Sequence, residues 1–379
     1  MPEPRFDIVI IGAGIVGAAC AAELARAGLR IAVIEADTPG SGATAAGMGH
    51  IVVMDEGDAQ LALTRYSQLL WDALAAPNPA PHEYQRCGTL WVAADADELD
   101  EVAHKRDVYA SAGVPCEILD ADALYAHEPN LRPGLVGGLL VPGDSVVYPP
   151  RTAALLLEGT RSQGVTLIAG RAVQLEQDGV CLADGRWVRA DAIVLANGIR
   201  ALELAPELPM RAKKGHLAIT DRYPGFVRHQ LIELGYVKNA HAAEGDSVAF
   251  NVQPRSTGQV LIGSSRQFDN LDRAIDMPML QRMLAAACAY MPGLAALSVV
   301  RVWTGVRAAT ADGLPLIGPH PGRSGMWLAT GHEGLGITTS LGTAKLLAAQ
   351  MLNERAELDP TPYLPARVAG LSQLTQGAA

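Results

Sequence analysis

The chain begins with an apolar run that changes abruptly into a glycine-rich turn. Residues 6–11 are mostly β-branched, which is typical of a strand buried on both faces of a sheet. An alanine-rich segment at residues 16–27 predicts a helix, and Gly28 stands where a helix usually ends. A second apolar run at residues 30–34 predicts another strand, which ends at Glu35. The pattern is that of a strand–helix–strand unit.

The turn before the helix carries the spacing G-x-G-x-x-G at Gly12, Gly14 and Gly17. In a dinucleotide-binding unit the first glycine permits the tight turn, the second lets the backbone approach the pyrophosphate, and the third lets the helix pack closely on the strand. The helix amino terminus offers unpaired N–H groups to the phosphates. Glu35, 18 residues after Gly17, is placed to bind the ribose hydroxyls, which disfavours NADP. The spacing predicts a dinucleotide site, with FAD and NAD both open.

Two further segments favour FAD. Residues 40–49 are small almost throughout, which suits a backbone that lies flat against a long ligand. Near the carboxyl terminus, a predicted strand at residues 326–329 runs into the glycine-rich turn 330–339, and helical spacing follows at 339–352. A helix amino terminus aimed at a flavin would stabilise the negative charge that the reduced ring carries. A nicotinamide has no comparable need.

Three side chains are candidates for the chemistry itself. Arg307 lies among apolar and small residues, where a guanidinium is costly to bury unless it is paired. Its planar fork fits a substrate carboxylate, and a salt bridge to an internal acid is the alternative. His50 and His332 stand in the cofactor-lining segments. Each is either a catalytic group that carries a proton or a histidine that is simply hydrogen-bonded in place.

The middle of the chain has short, partly alternating apolar runs, which predict an antiparallel sheet. These runs are residues 216–220, 230–234, 248–253 and 259–263. Because the two cofactor signatures stand at opposite ends of the chain, we expect the ends to meet and the middle to be inserted. The expected fold class is α/β, a Rossmann-like FAD-binding domain with an inserted α+β substrate domain that has an antiparallel sheet. The FAD-binding domain is assigned to residues 1–85, 146–215 and 301–379, and the substrate-binding domain to residues 86–145 and 216–300.

Composition narrows the class of protein. Of 379 residues, 49% are hydrophobic and 18% charged, which excludes disorder as the main state. The net charge of −10 disfavours nucleic acid and anionic membranes as partners. The five cysteines are scattered and lack zinc spacing, so we expect neither disulfides nor a metal site. The longest apolar stretch is shorter than the roughly 20 residues of a membrane span, and no targeting segment is recognised. We expect a soluble, cytoplasmic protein with a small-molecule substrate.

The motifs together resemble the D-amino-acid oxidase (DAO) family of FAD-dependent oxidoreductases, which includes glycine oxidase and sarcosine oxidase. The matching segments are residues 7–17, 45–48, 210–216, 303–307, 312–319 and 331–338, in the family's order. The last segment is most similar to catalytic subunits of bacterial D-hydroxyproline dehydrogenase. The resemblance implies that Arg307 holds the substrate carboxylate. Beyond the three motif glycines, the implied FAD contacts are Ile15, Val16, Glu35, Ala36, Ser41, Gly42, Ala46, Gly47, Met48, Val173, His332, Glu333, Gly334, Leu335, Gly336, Ile337 and Thr338.

The chain departs from its resemblance at three places. Glycine oxidase has a second arginine where this chain has Gly334, and its tyrosine beside the substrate falls at Asn251. Asn251 and His50 are therefore expected, with Arg307, to contact the substrate. Sarcosine oxidase tethers flavin through a cysteine, and residues 331–343 contain none, so FAD should be bound non-covalently.

The implied activity is the oxidation of a D-amino or cyclic imino acid to the imine, with cis-4-hydroxy-D-proline or D-proline as the best candidates. Hydride would pass from the α-carbon to flavin, and the electrons to dioxygen or a partner redox subunit. The alternatives are a glycine- or sarcosine-type amine oxidase, an NAD-linked dehydrogenase, and a non-catalytic flavin-holding subunit of a heteromeric dehydrogenase. A homo-oligomer and a heteromeric complex with electron-transfer subunits are both open.

Overall fold

The computed structural model describes residues 5–235, 245–368 and 371. The strands are β1 (Arg5–Ile11), β2 (Ile31–Glu35), β3 (His50–Ile51), β4 (Thr89–Ala93), β5 (Glu117–Asp120), β6 (Gly137–Val141), β7 (Ser145–Val146), β8 (Val165–Ala169), β9 (Ala172–Glu176), β10 (Gly179–Leu182), β11 (Trp187–Leu195), β12 (Met210–Arg222), β13 (Gln230–Glu233), β14 (Ser247–Pro254), β15 (Gln259–Phe268), β16 (Val299–Thr310), β17 (Leu316–Pro319) and β18 (Met326–Thr330). The α-helices are α1 (Ile15–Ala25), α2 (Ala43–Ala46), α3 (Asp58–Ala75), α4 (Ala96–Ser111), α5 (Ala121–His127), α6 (Pro149–Thr160), α7 (Met277–Tyr290) and α8 (Ser340–Met351).

The first sheet has a parallel centre, in the order β18-β11-β1-β2-β8. Strand β17 pairs antiparallel with β18 at one edge, and the β9–β10 hairpin pairs antiparallel with β11. The end of β1 is buried on both faces, which explains its unbroken apolar run. Helices α1, α6 and α8 pack together on one face, through small and aliphatic side chains. This half of the molecule is the predicted Rossmann-like unit.

The second sheet has eight strands in the order β16-β12-β15-β14-β13-β4-β6-β5. Every neighbouring pair is antiparallel except β4 and β13, which are parallel. Helix α7 packs on β14 and β15 and completes a separate apolar core. The expected fold class, a Rossmann-like domain combined with a largely antiparallel sheet, is confirmed.

Strands β12 and β16 are longer than the apolar runs alone indicate. They pair along almost their whole length, from Met210 opposite Thr310 to Thr220 opposite Val299. Strand β12 begins at Met210, although the predicted apolar run begins only at residue 216. The earlier residues also form a strand because a buried backbone needs hydrogen-bond partners along its whole length. The predicted domain boundaries at 215/216 and 300/301 fall inside these two strands, and the division into domains stays a prediction. Within the described residues, no helix is long and apolar enough to cross a membrane.

Candidate active site

The glycine-rich turn after β1 is so tight that two of its positions accept only glycine. Gly12 has a φ of +106°, and a Cβ there would lie 2.7 Å from the carbonyl oxygen of Ala196. A Cβ on Gly17 would lie 1.9 Å from the carbonyl oxygen of Gly12. Helix α1 therefore starts directly against the end of β1, with Gly14 at its amino terminus. This cradle fits the pyrophosphate of a dinucleotide.

Glu35 stands at the carboxyl end of β2, beside this cradle. Its carboxylate accepts hydrogen bonds from the N–H groups of Ala13 at 2.7 Å and Asp37 at 2.9 Å. Its carbonyl oxygen accepts from the N–H of Gly170 at 2.8 Å. Val173, three residues after Gly170, is 47% exposed. The structure thus places the carboxylate expected to bind ribose next to the glycine turn.

The two small-residue segments from opposite ends of the chain meet in space. A Cβ on Gly47 would lie 2.5 Å from Cδ1 of Ile337. The hydroxyl of Thr338 donates to the carbonyl of His50 at 2.9 Å, and the indole N–H of Trp71 donates to the carbonyl of Thr338 at 2.9 Å. The expectation that the two ends of the chain come together is confirmed.

The end of the amino-terminal segment lies flat on one face of the second sheet. A Cβ on Gly305 in β16 would lie 2.5 Å from Cβ of Ala46. A Cβ on Gly263 in β15 would lie 2.9 Å from Sδ of Met48. The side-chain amide of Gln253 in β14 donates to the carbonyl of Met48 at 2.6 Å. The two glycines therefore allow a predicted cofactor segment to pack directly on the sheet.

Arg307 and Gly305 lie two residues apart in β16. Because side chains alternate along a strand, Arg307 projects from the face on which Gly305 lies. Its guanidinium covers Gly215 of β12, since a Cβ on that glycine would lie 2.8 Å from Nη2. Nη1 donates a long hydrogen bond of 3.4 Å to the carbonyl of Ser265, and the side chain is half-buried. Among the described residues Arg307 forms no ion pair, so the internal salt bridge that was its alternative role is not made. The guanidinium is left available to an anion.

A buried ion pair stands next to Arg307. Lys213 lies directly opposite Arg307 in the β12–β16 ladder, and its Nζ is 2.9 Å from Oε1 of Glu333. Burial raises the pKa of the Glu333 carboxyl, but nearby cations outweigh burial and lower the pKa to about 2. These cations are Arg307, Lys213 and Arg266. The sequence did not identify Lys213 as a site residue; it stands in the matching segment 210–216, two residues before the glycine that Arg307 covers.

Two buried polar atoms near residues 46–48 have no hydrogen-bond partner among the described residues. They are Oδ1 of Asn251 and Nε2 of His50. Asn251 lies opposite Gly263 in the β14–β15 ladder, so its side chain projects from the face on which Met48 packs. Burial lowers the pKa of His50 to about 4, so its ring is neutral at pH 7. Oδ1 of Asn251 can accept a hydrogen bond from a ligand, and Nε2 of His50 can accept or donate one.

The ring of His332 is directed towards helix α8. Its Nε2 lies 3.0 Å from the hydroxyl of Thr343 in α8, and a Cβ on Gly336 would lie 3.2 Å from Cβ of His332. Burial lowers its pKa to about 4. These contacts favour a histidine that holds the glycine-rich turn to the helix behind it. A catalytic role for His332 stays a prediction.

The sequence matches known proteins along nearly its whole length. It is 28% identical to glycine oxidase of Pseudomonas aeruginosa, over 95% of this chain and 98% of the relative. It is 27% identical to hydrogen cyanide synthase subunit HcnC of Pseudomonas protegens, over 96% of this chain and 97% of the relative.

Solved structures are also similar to this chain along nearly its whole length. Glycine oxidase from Geobacillus kaustophilus is similar with a TM-score of 0.85 at 27% identity, covering 96% of this chain and 99% of that one. L-proline dehydrogenase from P. horikoshii has a TM-score of 0.86 over 97% of this chain and 98% of that one, at 20% identity, and shows the fold alone. The family model described as DAO, FAD dependent oxidoreductase, matches residues 7–350. The chain therefore belongs to the DAO family of FAD-dependent oxidoreductases, and FAD is the cofactor that its glycine cradle fits.

Proposed function

We propose that this enzyme oxidises a D-amino or cyclic imino acid to its imine, with cis-4-hydroxy-D-proline or D-proline as the best candidates. The observation that supports the proposal most directly is the environment of the Arg307 guanidinium. This guanidinium has no ion pair among the described residues and lies on the sheet face that the cofactor segment covers. A planar cation in such a place suits the bidentate binding of one carboxylate.

The amine end of the substrate requires acceptors. Oδ1 of Asn251 is buried without a partner, and Asn251 projects from the same sheet face as Gln253 and Met48. His50 is neutral because burial lowers its pKa to about 4, so one of its ring nitrogens can accept a hydrogen bond from the amine. The amine must lose a proton before the α-hydrogen can leave as hydride. Asn251 would orient the amine, His50 would accept a hydrogen bond from it, and the amine proton would leave to solvent before the hydride transfer.

FAD, when bound, supplies the acceptor for the hydride that leaves the α-carbon. The chain's part is to hold the cofactor and fix the substrate against it. Gly12, Gly14 and Gly17 would hold the pyrophosphate, and Glu35 the ribose. Residues 46–48 and 332–338 would line the remainder. Because no cysteine stands at 331–343, we propose that FAD is non-covalent.

The relatives support this class of reaction and also support the alternatives. The name glycine oxidase favours amine oxidation, including the glycine- or sarcosine-type activity that is our second candidate. HcnC is named as a subunit of hydrogen cyanide synthase, which favours a heteromeric complex. The five cysteines are unpaired, which favours a reducing compartment, the cytoplasm.

The test is anaerobic mixing of the flavin-loaded protein with D-proline, cis-4-hydroxy-D-proline, other D-amino acids, glycine and sarcosine. We expect loss of the oxidised flavin absorbance with the cyclic D-imino acids. Bleaching by glycine or sarcosine instead would support the second candidate. Failure of every amine to bleach the flavin would contradict the proposal and favour a flavin-holding subunit.

Arg307 variants connect that result to the site. Arg307→Ala should keep flavin and weaken carboxylate substrates by about 2–5 kcal/mol, the scale for truncating one partner of a buried charge pair. Arg307→Lys is the matched control, because it keeps the charge and loses the planar fork. Unchanged turnover in Arg307→Ala would remove Arg307 from the substrate site.

A further inference from the structure

The indole of Trp71 reaches from helix α3 to the glycine-rich turn before α8, and it is fully buried. Its N–H donates to two consecutive carbonyls, that of Ile337 at 3.2 Å and that of Thr338 at 2.9 Å. The hydroxyl of Ser340, the first residue of α8, also donates to the carbonyl of Ile337, at 2.9 Å. Helix α3 and the start of α8 therefore fix the direction of these two carbonyls.

The same part of the turn is held from its other side. The hydroxyl of Thr338 donates to the carbonyl of His50 at 2.9 Å, which attaches the turn to strand β3. The side chain of Ile337 lies against Gly47, where a Cβ would be 2.5 Å from Cδ1. Thr338 itself is 1% exposed. The turn is thus enclosed between α3 and the small-residue segment that is expected to line FAD.

The N–H groups of this turn lack the partners that its carbonyls have. Among the described residues, the backbone N–H groups of Gly336, Ile337 and Thr338 have no hydrogen-bond acceptor. Thr338 is buried, and a buried N–H without an acceptor is rare because it costs the free energy of a lost hydrogen bond. Successive free N–H groups before a helix also favour negative charge beside them. These observations indicate that a ligand accepts a hydrogen bond from the turn.

The planar peptide bond connects Trp71 with these free N–H groups. In a trans peptide, the N–H of one residue points opposite to the carbonyl of the residue before it. Since Trp71 and Ser340 hold the carbonyl of Ile337, the N–H of Thr338 must point away from the indole. Rotation of this peptide would break both side-chain hydrogen bonds. The indole therefore controls the direction of an N–H group that it does not contact.

FAD is the ligand that this arrangement suits, because the reduced flavin ring carries negative charge. We propose that Trp71 is a positioning residue that keeps the N–H of Thr338 directed at the FAD ring and so favours the reduced form. The inference rests on the proposed function in one respect, namely that residues 332–338 line FAD. It does not depend on which amine is the substrate.

The test is the reduction potential of the bound flavin, measured by slow reduction with xanthine and xanthine oxidase beside a reference dye. Trp71→Phe keeps an aromatic ring and removes the N–H donor. It should shift the equilibrium between oxidised and reduced flavin towards the oxidised form by about tenfold, which lowers the potential of this two-electron couple by about 30 mV. Ser340→Ala removes the other side-chain donor to the same carbonyl and should shift the equilibrium in the same direction by about threefold or more.

Trp187→Phe in β11 is the matched control. Trp187 stands at the end of the first sheet opposite to both glycine-rich turns, and its ring contacts Arg189. Among the described residues its indole donates no hydrogen bond, so the redox equilibrium should stay within about twofold of the wild type. FAD content and thermal midpoint are the second measurements for every variant. A merely structural role of Trp71 would weaken oxidised and reduced FAD equally and leave the potential unchanged.

A redox equilibrium within about twofold of the wild type, in a Trp71→Phe variant that keeps FAD, would overturn the proposal. An equal shift in Trp187→Phe would overturn it as well. If Trp71→Phe does not keep FAD, Ser340→Ala decides by the same limit. None of these measurements uses an amine, so the expected shift without any bleaching by amines contradicts only the proposed function. Bleaching by amines without the shift contradicts only the role of Trp71.

Discussion

Gly215 is the residue whose substitution tests the site geometry most directly. A Cβ at this position would lie 2.8 Å from Nη2 and 3.2 Å from Cζ of Arg307, and 3.0 Å from the carbonyl oxygen of Ser265. To restore an ordinary contact of about 3.4 Å, the guanidinium must move by about 3.4 − 2.8 = 0.6 Å. A carboxylate bond of about 2.8 Å then becomes one of about 3.4 Å, as long and weak as the bond from Arg307 to the carbonyl of Ser265.

Gly215→Ala should therefore weaken one of the two bonds between Arg307 and a substrate carboxylate, by up to the full value of that bond. A charge-assisted hydrogen bond is worth about 1.5–3 kcal/mol, which corresponds to about a 10- to 100-fold rise in KM. Flavin content should not change, because the arginine is the far end of a flexible side chain and no residue of the glycine cradle is among the three nearest atoms to the added Cβ. The assay is steady-state turnover of the best substrate of the proposed panel, with flavin absorbance per protein as the second measurement.

Two controls make this prediction specific. Gly159→Ala in α6 places a Cβ with no atom within 4 Å, so KM should stay the same and the helix should gain up to about 1 kcal/mol. In an Arg307→Ala background, Gly215→Ala should add no further loss, because the group that it displaces is gone. An unchanged KM in Gly215→Ala, or an equal loss in both backgrounds, would refute the reasoning.

Three other predictions follow from the cofactor site and from burial. Gly17→Ala places a Cβ 1.9 Å from the carbonyl oxygen of Gly12, so the turn must shift by about 1 Å and the desalted protein should lose FAD; full retention would contradict the cradle. Glu35→Gln keeps the shape but weakens a charged acceptor, so FAD should dissociate more readily on dilution, and an unchanged dissociation constant would remove Glu35 from the ribose site. Because burial lowers the pKa of His332 to about 4, the unfolded state binds a proton that the folded state does not, and this histidine alone should lower stability by about 2 kcal/mol from pH 7 to pH 5, in addition to a similar contribution from His50. His332→Gln should reduce this loss in denaturant titrations at the two pH values; an identical pH dependence would show that His332 does not cause it.

Much of the cofactor half could be predicted from sequence because its constraints are local. The turn at Gly12 and Gly17 depends on backbone contacts among residues a few positions apart and on one neighbouring strand, so the spacing of glycines is sufficient to recognise it. The apolar run before it predicts a strand buried on both faces, and β1 is such a strand. Arg307 could be selected because a guanidinium in an apolar neighbourhood needs a partner.

The substrate half could be predicted only in part because its contacts join distant segments. Lys213 and Glu333 are 120 positions apart, and nothing local to either indicates that they form an ion pair. Gly215 stands between Lys214 and His216 with nothing local to mark it, and its role appears only when the arginine of another strand covers it. His332 was a candidate for proton transfer by its place in a glycine-rich turn, but its contact with Thr343 depends on how α8 packs behind that turn.

By itself, the sequence determined that this protein has a dinucleotide cradle, a second, largely antiparallel sheet and an arginine suited to a carboxylate. These properties follow from periodicity, glycine spacing and the cost of burying charge, which act over short stretches of chain. Only the tertiary structure decided that Arg307 makes no internal ion pair and that Lys213 and Glu333 pair beside it. Electrostatic balance depends on which charges a sheet register and a returning turn bring together, and that is a property of pairing between strands rather than of any one segment.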